Sequence, residues 1–364
     1  MSEIALEVGR RRLTGFSSLR VESSLTEGVA KASFAGSDFA ARTFNGFEDV
    51  RATIDGTSVF TGALDSIDRE MGDGGVSFRA SARSRMADLG DSIVDPELVP
   101  AERLERDLVS IIQAYLRAVE PIRDGRGTRR IPLPDSSRLP RPLERIPRHA
   151  PARGESYWTA IERACRQFGV IAAPNARGGV DLVAQGRFPT LSAGLREGEN
   201  VLTARASANW SERAHRTIAE GQGDAFGDGW EDRLAVRAVA VDRAVRPTRT
   251  ELVQVEGQPT PEDCAARAQW EVQVRAARAS RVSVVTPGWL VPGTATPWSV
   301  GHRVGVVLPS LRVSGRLLID RVGLRFGDDG LTTQLTLVRD DAYRPAPEVA
   351  AEEEPTWESV GGSA

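Results

Sequence analysis

The spacing of apolar and polar positions changes twice along the chain. Residues 4–8 (IALEV) are mainly apolar, GRRR supplies a turn, and RLTGFSSLRVESSL reads as short strands broken by glycine, so the chain opens on a hairpin. Further on, VFTGALDSIDREM and VSFRASAR alternate, with Ile67 and Met71 in one and Val76, Phe78 and Ala80 in the other, and GDGG between them as the turn. Residues up to about 90 therefore predict a small antiparallel β domain. The period then becomes helical: in AERLERDLVSIIQAYLRAVE, Leu104, Leu108, Ile111, Ile112, Tyr115 and Leu116 fall on one face behind Pro100. A second helix is predicted in GESYWTAIERACRQFGV, capped by Ser156, burying Ile161, Ala164, Cys165 and Phe168, and stopped by Gly169. Strand signals return in GVIAAP and GGVDLVAQG, and from about residue 200 the pattern is mostly β. One helix interrupts it, where Thr260 caps, Pro261 takes the first helical position and Asp263 completes a capping box. Its small, Ala-rich face predicts close packing on a sheet.

Two segments break the pattern. Residues 123–154 are rich in Arg and Pro, which disfavours regular ladders and predicts an extended arm or long loop, either a basic surface for a partner or a solvated connector. After Tyr343, RPAPEVAAEEEPTWESVGGSA is acidic and Pro-rich and reads as a disordered tail.

The two long hairpins also resemble each other without gaps. Asp65 aligns with Asp320, Ile67 with Val322, Met71 with Phe326, Gly72 and Asp73 with Gly327 and Asp328, and Gly75 with Gly330. Each keeps a Gly-Asp-x-Gly turn, where glycine supplies the positive φ that a tight hairpin needs, and alternating strands follow in both. The match predicts two copies of one β domain separated by an inserted mixed domain.

Composition removes options rather than adding them. With 47 Lys plus Arg against 50 Asp plus Glu, the net charge of -3 offers no basic excess for gripping phosphates. Apart from Lys31 every cationic side chain is Arg, a residue enriched at protein interfaces. Cys165 and Cys264 lie on separate predicted helices, and with only His149, His215 and His302 no zinc cluster can be written. Cys165 reads as a small core residue. No signal-peptide pattern and no long apolar run is present, which predicts a protein made and kept in a cytoplasm without membrane insertion. No nucleophile elbow, phosphate loop or zinc-protease motif occurs. The Gly-rich stretch at 221–230 lacks a strand-to-helix context and reads as a loop between strands. The carboxylates nearest a glycosidase-like pair are Glu197 with Glu199 and Asp340 with Asp341, which adjoin in sequence, whereas hydrolysis requires opposition across a cleft. His215, beside Glu212 and Arg213, reads as structural or interfacial. No catalytic, cofactor-binding or metal-binding residue is expected.

Several segments, in order, resemble a known family. LEVGRRRLTGFSSLRVESSLTEGVAKASF is similar to the start of Mu-like bacteriophage baseplate hub proteins. GALDSIDREMGDGGVSFRASARSRMADLGDS, GESYWTAIERACRQFGVIAAPNARGGVDLV, GENVLTARASANWSERAHRTIAEGQ and the final TPWSVGHRVGVVLPSLRVSGRLLIDRVGLRFGDDGLTTQLTLVRDDAY resemble its later parts, so the resemblance spans residues 4–343. The arm at 123–153 and the acidic tail depart from the pattern. The family is related to other contractile-tail hubs and to the base of type VI secretion spikes.

The resemblance implies an α+β, β-dominated chain in which two related, antiparallel, barrel-like tube domains flank an inserted mixed α/β domain. The expected boundaries are 1–92, 93–200 with the arm at 123–154, and 201–344 with one helix, followed by a tail at 345–364. It implies a non-enzymatic homotrimer that joins the sixfold tail tube to the threefold central spike, with tube, spike and other baseplate proteins as partners and DNA only as transient cargo. Such a protein would be assembled in the host bacterial cytoplasm and end in the virion baseplate. The competing expectations are a tail-associated cell-wall hydrolase and a non-viral β-rich binding module.

Overall fold

The computed structural model describes residues 3–37, 44–72, 75–99, 103–119, 134–137, 139, 145–221, 236–255 and 259–346. Most of the predicted Arg/Pro arm, the Gly-rich stretch at 222–230 and the tail from 347 lie outside these residues. The first part of the chain forms β1 (Ile4–Val8), β2 (Arg11–Leu13), β3 (Phe16–Ser24), β4 (Lys31–Gly36), β5 (Asp49–Ile54), β6 (Thr57–Gly72) and β7 (Gly75–Ser84). The middle contains α1 (Ala87–Asp91), β8 (Arg103–Asp107), α2 (Leu108–Val119), β9 (Arg145–His149), α3 (Tyr157–Gln167), β10 (Val170–Pro174) and β11 (Val180–Ala184). The last part comprises β12 (Thr190–Arg196), β13 (Thr203–Ala208), β14 (Arg216–Gly221), β15 (Val236–Val241), β16 (Thr250–Gln254), α4 (Pro261–Arg278), β17 (Ser280–Pro287), β18 (Arg303–Leu308), β19 (Val313–Gly327) and β20 (Gly330–Val338). The fold is β-dominated, with large, mainly antiparallel sheets.

Contacts divide the chain into two units, residues 1–207 with 281–340 and residues 208–280 with 341–364. In the first, one sheet of thirteen strands runs β13-β17-β20-β19-β3-β4-β7-β6-β5-β1-β2, with β18 beside β19 and β12 beside β18. Strand alternation sets its buried face: Leu19 and Val21 on β3, Ala32 and Phe34 on β4, and Val284, Leu335 and Leu337 on β17 and β20 are all buried. The hairpins aligned by sequence share their register. Every β19–β20 partner pair, from Leu318 with Val338 to Gly327 with Gly330, falls on a β6–β7 pair, from Ala63 with Arg83 to Gly72 with Gly75. Both ladders slip by one residue at the same place, around Asp65 and around Asp320. A bulge bends its strand, so two strands bent at equivalent points present equivalent surfaces. The neighbours match too: β4 and β17 flank β7 and β20, and β5 and β18 flank β6 and β19, all antiparallel. The patterns part at the next strand, where β1 runs antiparallel to β5 but β12 runs parallel to β18.

A separate core lies under the middle segment, where Ile111, Ile112, Tyr115, Ala160, Ile161 and Leu182 are buried together between α2, α3 and the β10–β11 hairpin. α3 begins where predicted, Ser156 accepting from the Thr159 N–H at 3.1 Å, and Gly169 follows with φ of 57°. α2 begins later than its periodicity predicts. Residues 103–107 are a strand, and Leu104 belongs to that strand rather than to the helix face. The cause is Asp107, whose carboxylate accepts from the Ser110 N–H at 3.0 Å and hydroxyl at 2.7 Å and so fixes the helix start. The Arg/Pro arm also forms a ladder at its end: β9 pairs with β8, and the register skips Pro147, the residue without an N–H.

The second unit is a three-stranded sheet, β15-β14-β16, with α4 on one face. Cys264 and Ala268 of α4 are buried with Ala219 of β14, as its small-residue face predicts. The capping box is formed, with Thr260 and Asp263 each accepting from the other's backbone N–H.

Candidate assembly interface

The two matching strand sets meet along β3 and β19. Leu19 to Ser24 pair antiparallel with Phe326 to Arg321, so β19 is laddered on both sides beyond its bulge. On one face Val21 lies opposite Leu324 and Leu19 opposite Phe326, and the Phe326 ring meets that of Phe16 edge-on at 5.5 Å between centroids. Near one end of the junction, Glu27 binds both Arg321 at 3.2 Å and Lys31 at 3.3 Å. The single lysine therefore belongs to an ion cluster at this junction. Arg20 and Arg325, directly opposite, are drawn to Glu22 and Gln334 respectively.

The strands equivalent to this pair are not joined to one another. β6 has β5 beside it as far as Ala63, and beyond Asp65 only β7 runs along it among the described strands. β13 is the terminal strand at one end of the sheet order and, among the described strands, pairs with β17 alone. On β6, Asp68, Arg69, Glu70 and Met71 are exposed, Met71 to 84%, whereas their β19 counterparts include the buried Leu324. β13 is exposed at five of six positions, whereas β3 buries Leu19, Val21 and Ser24. A sheet edge with unpaired backbone groups is a template for another strand.

The residues weighed for chemistry are committed elsewhere. Glu197 is held by the Ser310 hydroxyl and its N–H, and these bonds keep its carboxyl below the usual range. Glu199 faces Arg196 at 4.0 Å, and Asp340 binds Arg303 at 2.7 Å. His215 directs Nδ1 at the Asp242 and Val245 carbonyls, 3.0 and 2.9 Å away, and Arg213 grips the Asp242 carboxylate at 2.5 Å, a structural corner. Burial pushes the Cys165 thiol up to about 12 and raises that of Cys264, which leaves neither as a ready thiolate. Among the described residues, no group of three or more His, Cys, Asp and Glu side chains is placed to hold a metal ion. No described helix is long and apolar enough to cross a membrane. Sequence reading missed the β3–β19 junction, because pairing between strands some three hundred residues apart leaves no local periodic signal.

Comparison with known proteins supplies the remaining finding. Residues 260–346 match the family model of the fourth domain of GpP, the Mu phage baseplate assembly protein. The 43 kDa tail protein of prophage MuSo2 from Shewanella oneidensis shares the fold with a TM-score of 0.74 and 20% identity, over 95% of this chain and all of that one. A tail protein from Neisseria meningitidis MC58 does so with a TM-score of 0.74 and 14% identity, over 95% of this chain and 98% of that one. The E. coli c3393 protein, a type VI secretion component described as similar to the T4 tail proteins gp27 and gp5, gives 0.54 and 13% over 94% and 79%. Among curated proteins, none matches by sequence. The resemblance read from the sequence segments is thus borne out: the chain is similar to the Mu-like baseplate proteins, through a GpP domain at 260–346 and through the fold of nearly its whole length.

Proposed function

We propose that this protein is a structural baseplate hub of a phage or phage-like tail, residing in the virion tail, where three copies form a ring that joins the sixfold tail tube to the threefold central spike. The observation that carries this reading is the shared pairing pattern of the β6–β7 and β19–β20 hairpins within one sheet. A chain with two like β domains displays six of them when three copies close a ring, which matches a threefold partner on one side to a sixfold partner on the other. In this reading residues 1–92 and 201–344 carry the two tube-like domains, residues 93–200 are the inserted mixed domain, and 345–364 is a tail. The role is mechanical, without catalysis, and DNA passes as transient cargo through a channel whose walls grip it little. Assembly takes place in the bacterial cytoplasm.

The test is co-expression with the tube and spike proteins encoded in the same particle. Retention of both partners, with six lobes around a channel in end-on electron micrographs, is the expected result. Retention of neither, in particles that assemble without this chain, contradicts the proposal.

A further inference from the structure

We infer that the acidic segment after Ala346 covers the open face of the three-stranded sheet in the second unit, with Trp357 laid across Val239, Ile218 and Leu252. The inference goes beyond the tail role proposed above and does not depend on the ring. Alternation divides this sheet into two faces. On one, Ala219 of β14 and Val236, Ala238 and Ala240 of β15 pack against α4. The residues between them point the other way. There Ile218 of β14 stands directly opposite Val239 of β15 and Leu252 of β16, an apolar row across all three strands. Val239 is 46% exposed, Leu252 53%, and Val241 next along β15 51%. A sheet packed on one side only ordinarily turns polar residues to water, so a continuous apolar row on the outer face marks a surface made to be covered.

Charge and reach both point to the chain's own end as the cover. Arg237 and Arg216 lie on this face on either side of the row, against the single carboxylate of Glu220, and Arg243 and Arg246 are exposed in the turn after β15. Residues 347–364 carry five glutamates and neither lysine nor arginine, and their one aromatic side chain, Trp357, stands between Glu354 and Glu358. Trp357 thus offers a large apolar surface for the row, with carboxylates on both sides for the arginines. The described chain enters this segment from α4. Trp270 donates its indole N–H to the Arg344 carbonyl at 2.9 Å, and Arg344 donates to Gln273 at 2.9 Å. A helix is about 10–12 Å across and the layer packed on it lies about 10 Å away, so the far face is roughly 20–25 Å from this point. The eleven residues from Pro347 to Trp357 span at most about 40 Å. Tethering holds the segment near the face at a high effective concentration, which favours it over a free partner of the same chemistry.

Hydroxyl-radical footprinting of the full chain, read by mass spectrometry, tests the cover side chain by side chain. Leu98, 60% exposed, serves as the reference for Leu252, a residue of the same type and nearly the same exposure within the described chain. The expected result is that Leu252 labels far more slowly than Leu98, equally so across a dilution series. Trp357→Ala should bring Leu252 up to the rate of Leu98, Trp357→Phe should keep most of the cover, and Leu252→Ser should raise labelling at Trp357. Three results would overturn the inference. Leu252 labelling as fast as Leu98 in the parent chain means that the row is bare. Protection that survives Trp357→Ala means that something else covers it. Protection that fades on dilution assigns the cover to a second copy rather than to the chain's own end.

Discussion

Asp65 and Asp320 occupy the same bulge in two hairpins, each skipped by its partner strand, yet Asp65 is exposed and Asp320 is buried. The difference comes from what runs alongside. At Asp320 the chain leaving β3 closes in, and the Leu25 N–H donates to the Asp320 carbonyl at 2.8 Å. At Asp65 no such strand is present among the described residues, and the carboxylate is held by Arg83 of its own hairpin.

Hydrogen exchange should read this asymmetry. Residues 321–326 are laddered on both sides within one chain and should exchange slowly at any protein concentration. Outward-facing amides of 66–71, laddered on one side only among the described strands, should exchange faster. Equal protection of both stretches would contradict the asymmetry.

Acid should weaken the middle segment through Glu155. Hydrogen bonds from Arg163, at 2.9 and 3.1 Å, and from the Ala152 N–H at 2.7 Å hold its carboxyl below the ordinary value of 4.5, against a smaller opposing effect of burial. A group whose folded pKa is depressed lends stability that is fully present above its unfolded pKa and is lost as pH falls through the folded value. Thermal unfolding should therefore lose stability on acidification below about pH 4.5. Glu155→Gln should flatten that loss while costing on the order of 1–2 kcal/mol at neutral pH.

Loss of the capping box should be felt in the second unit. Thr260→Ala removes the acceptor for the Asp263 N–H and should lower stability by about 1 kcal/mol. Calorimetry should show this as a small downward shift, and Thr260→Ser should restore most of it.

How much of this could be read in the sequence depends on how local the cause is. Caps at Ser156 and Thr260 are set by residues three apart, and the alternation around Asp65 and Asp320 lies within single strands, so these features were legible and even their register held. Periodicity misplaces the start of α2, because Leu104 fits the helical phase by spacing alone while Asp107, a capping residue, decides where the helix begins. The edges of β6 and β13 were out of reach for another reason. Openness is a property of what fails to come alongside, and the charged run Asp68–Arg69–Glu70 looks like any solvated strand until β19, its equivalent, is seen with a strand on both sides. Glu197 and Asp340 show the converse: carboxylates adjacent to others in sequence point to Ser310 and Arg303 rather than toward a shared cleft.

The central claim is that copies of this chain close into a ring of three, and the mass of the protein in solution tests it most directly. Light scattering on the purified chain at tens of micromolar should give about three times the chain mass of 39.3 kDa. A persistent mass of one chain at that concentration, in the presence of the spike protein as well as alone, would contradict it.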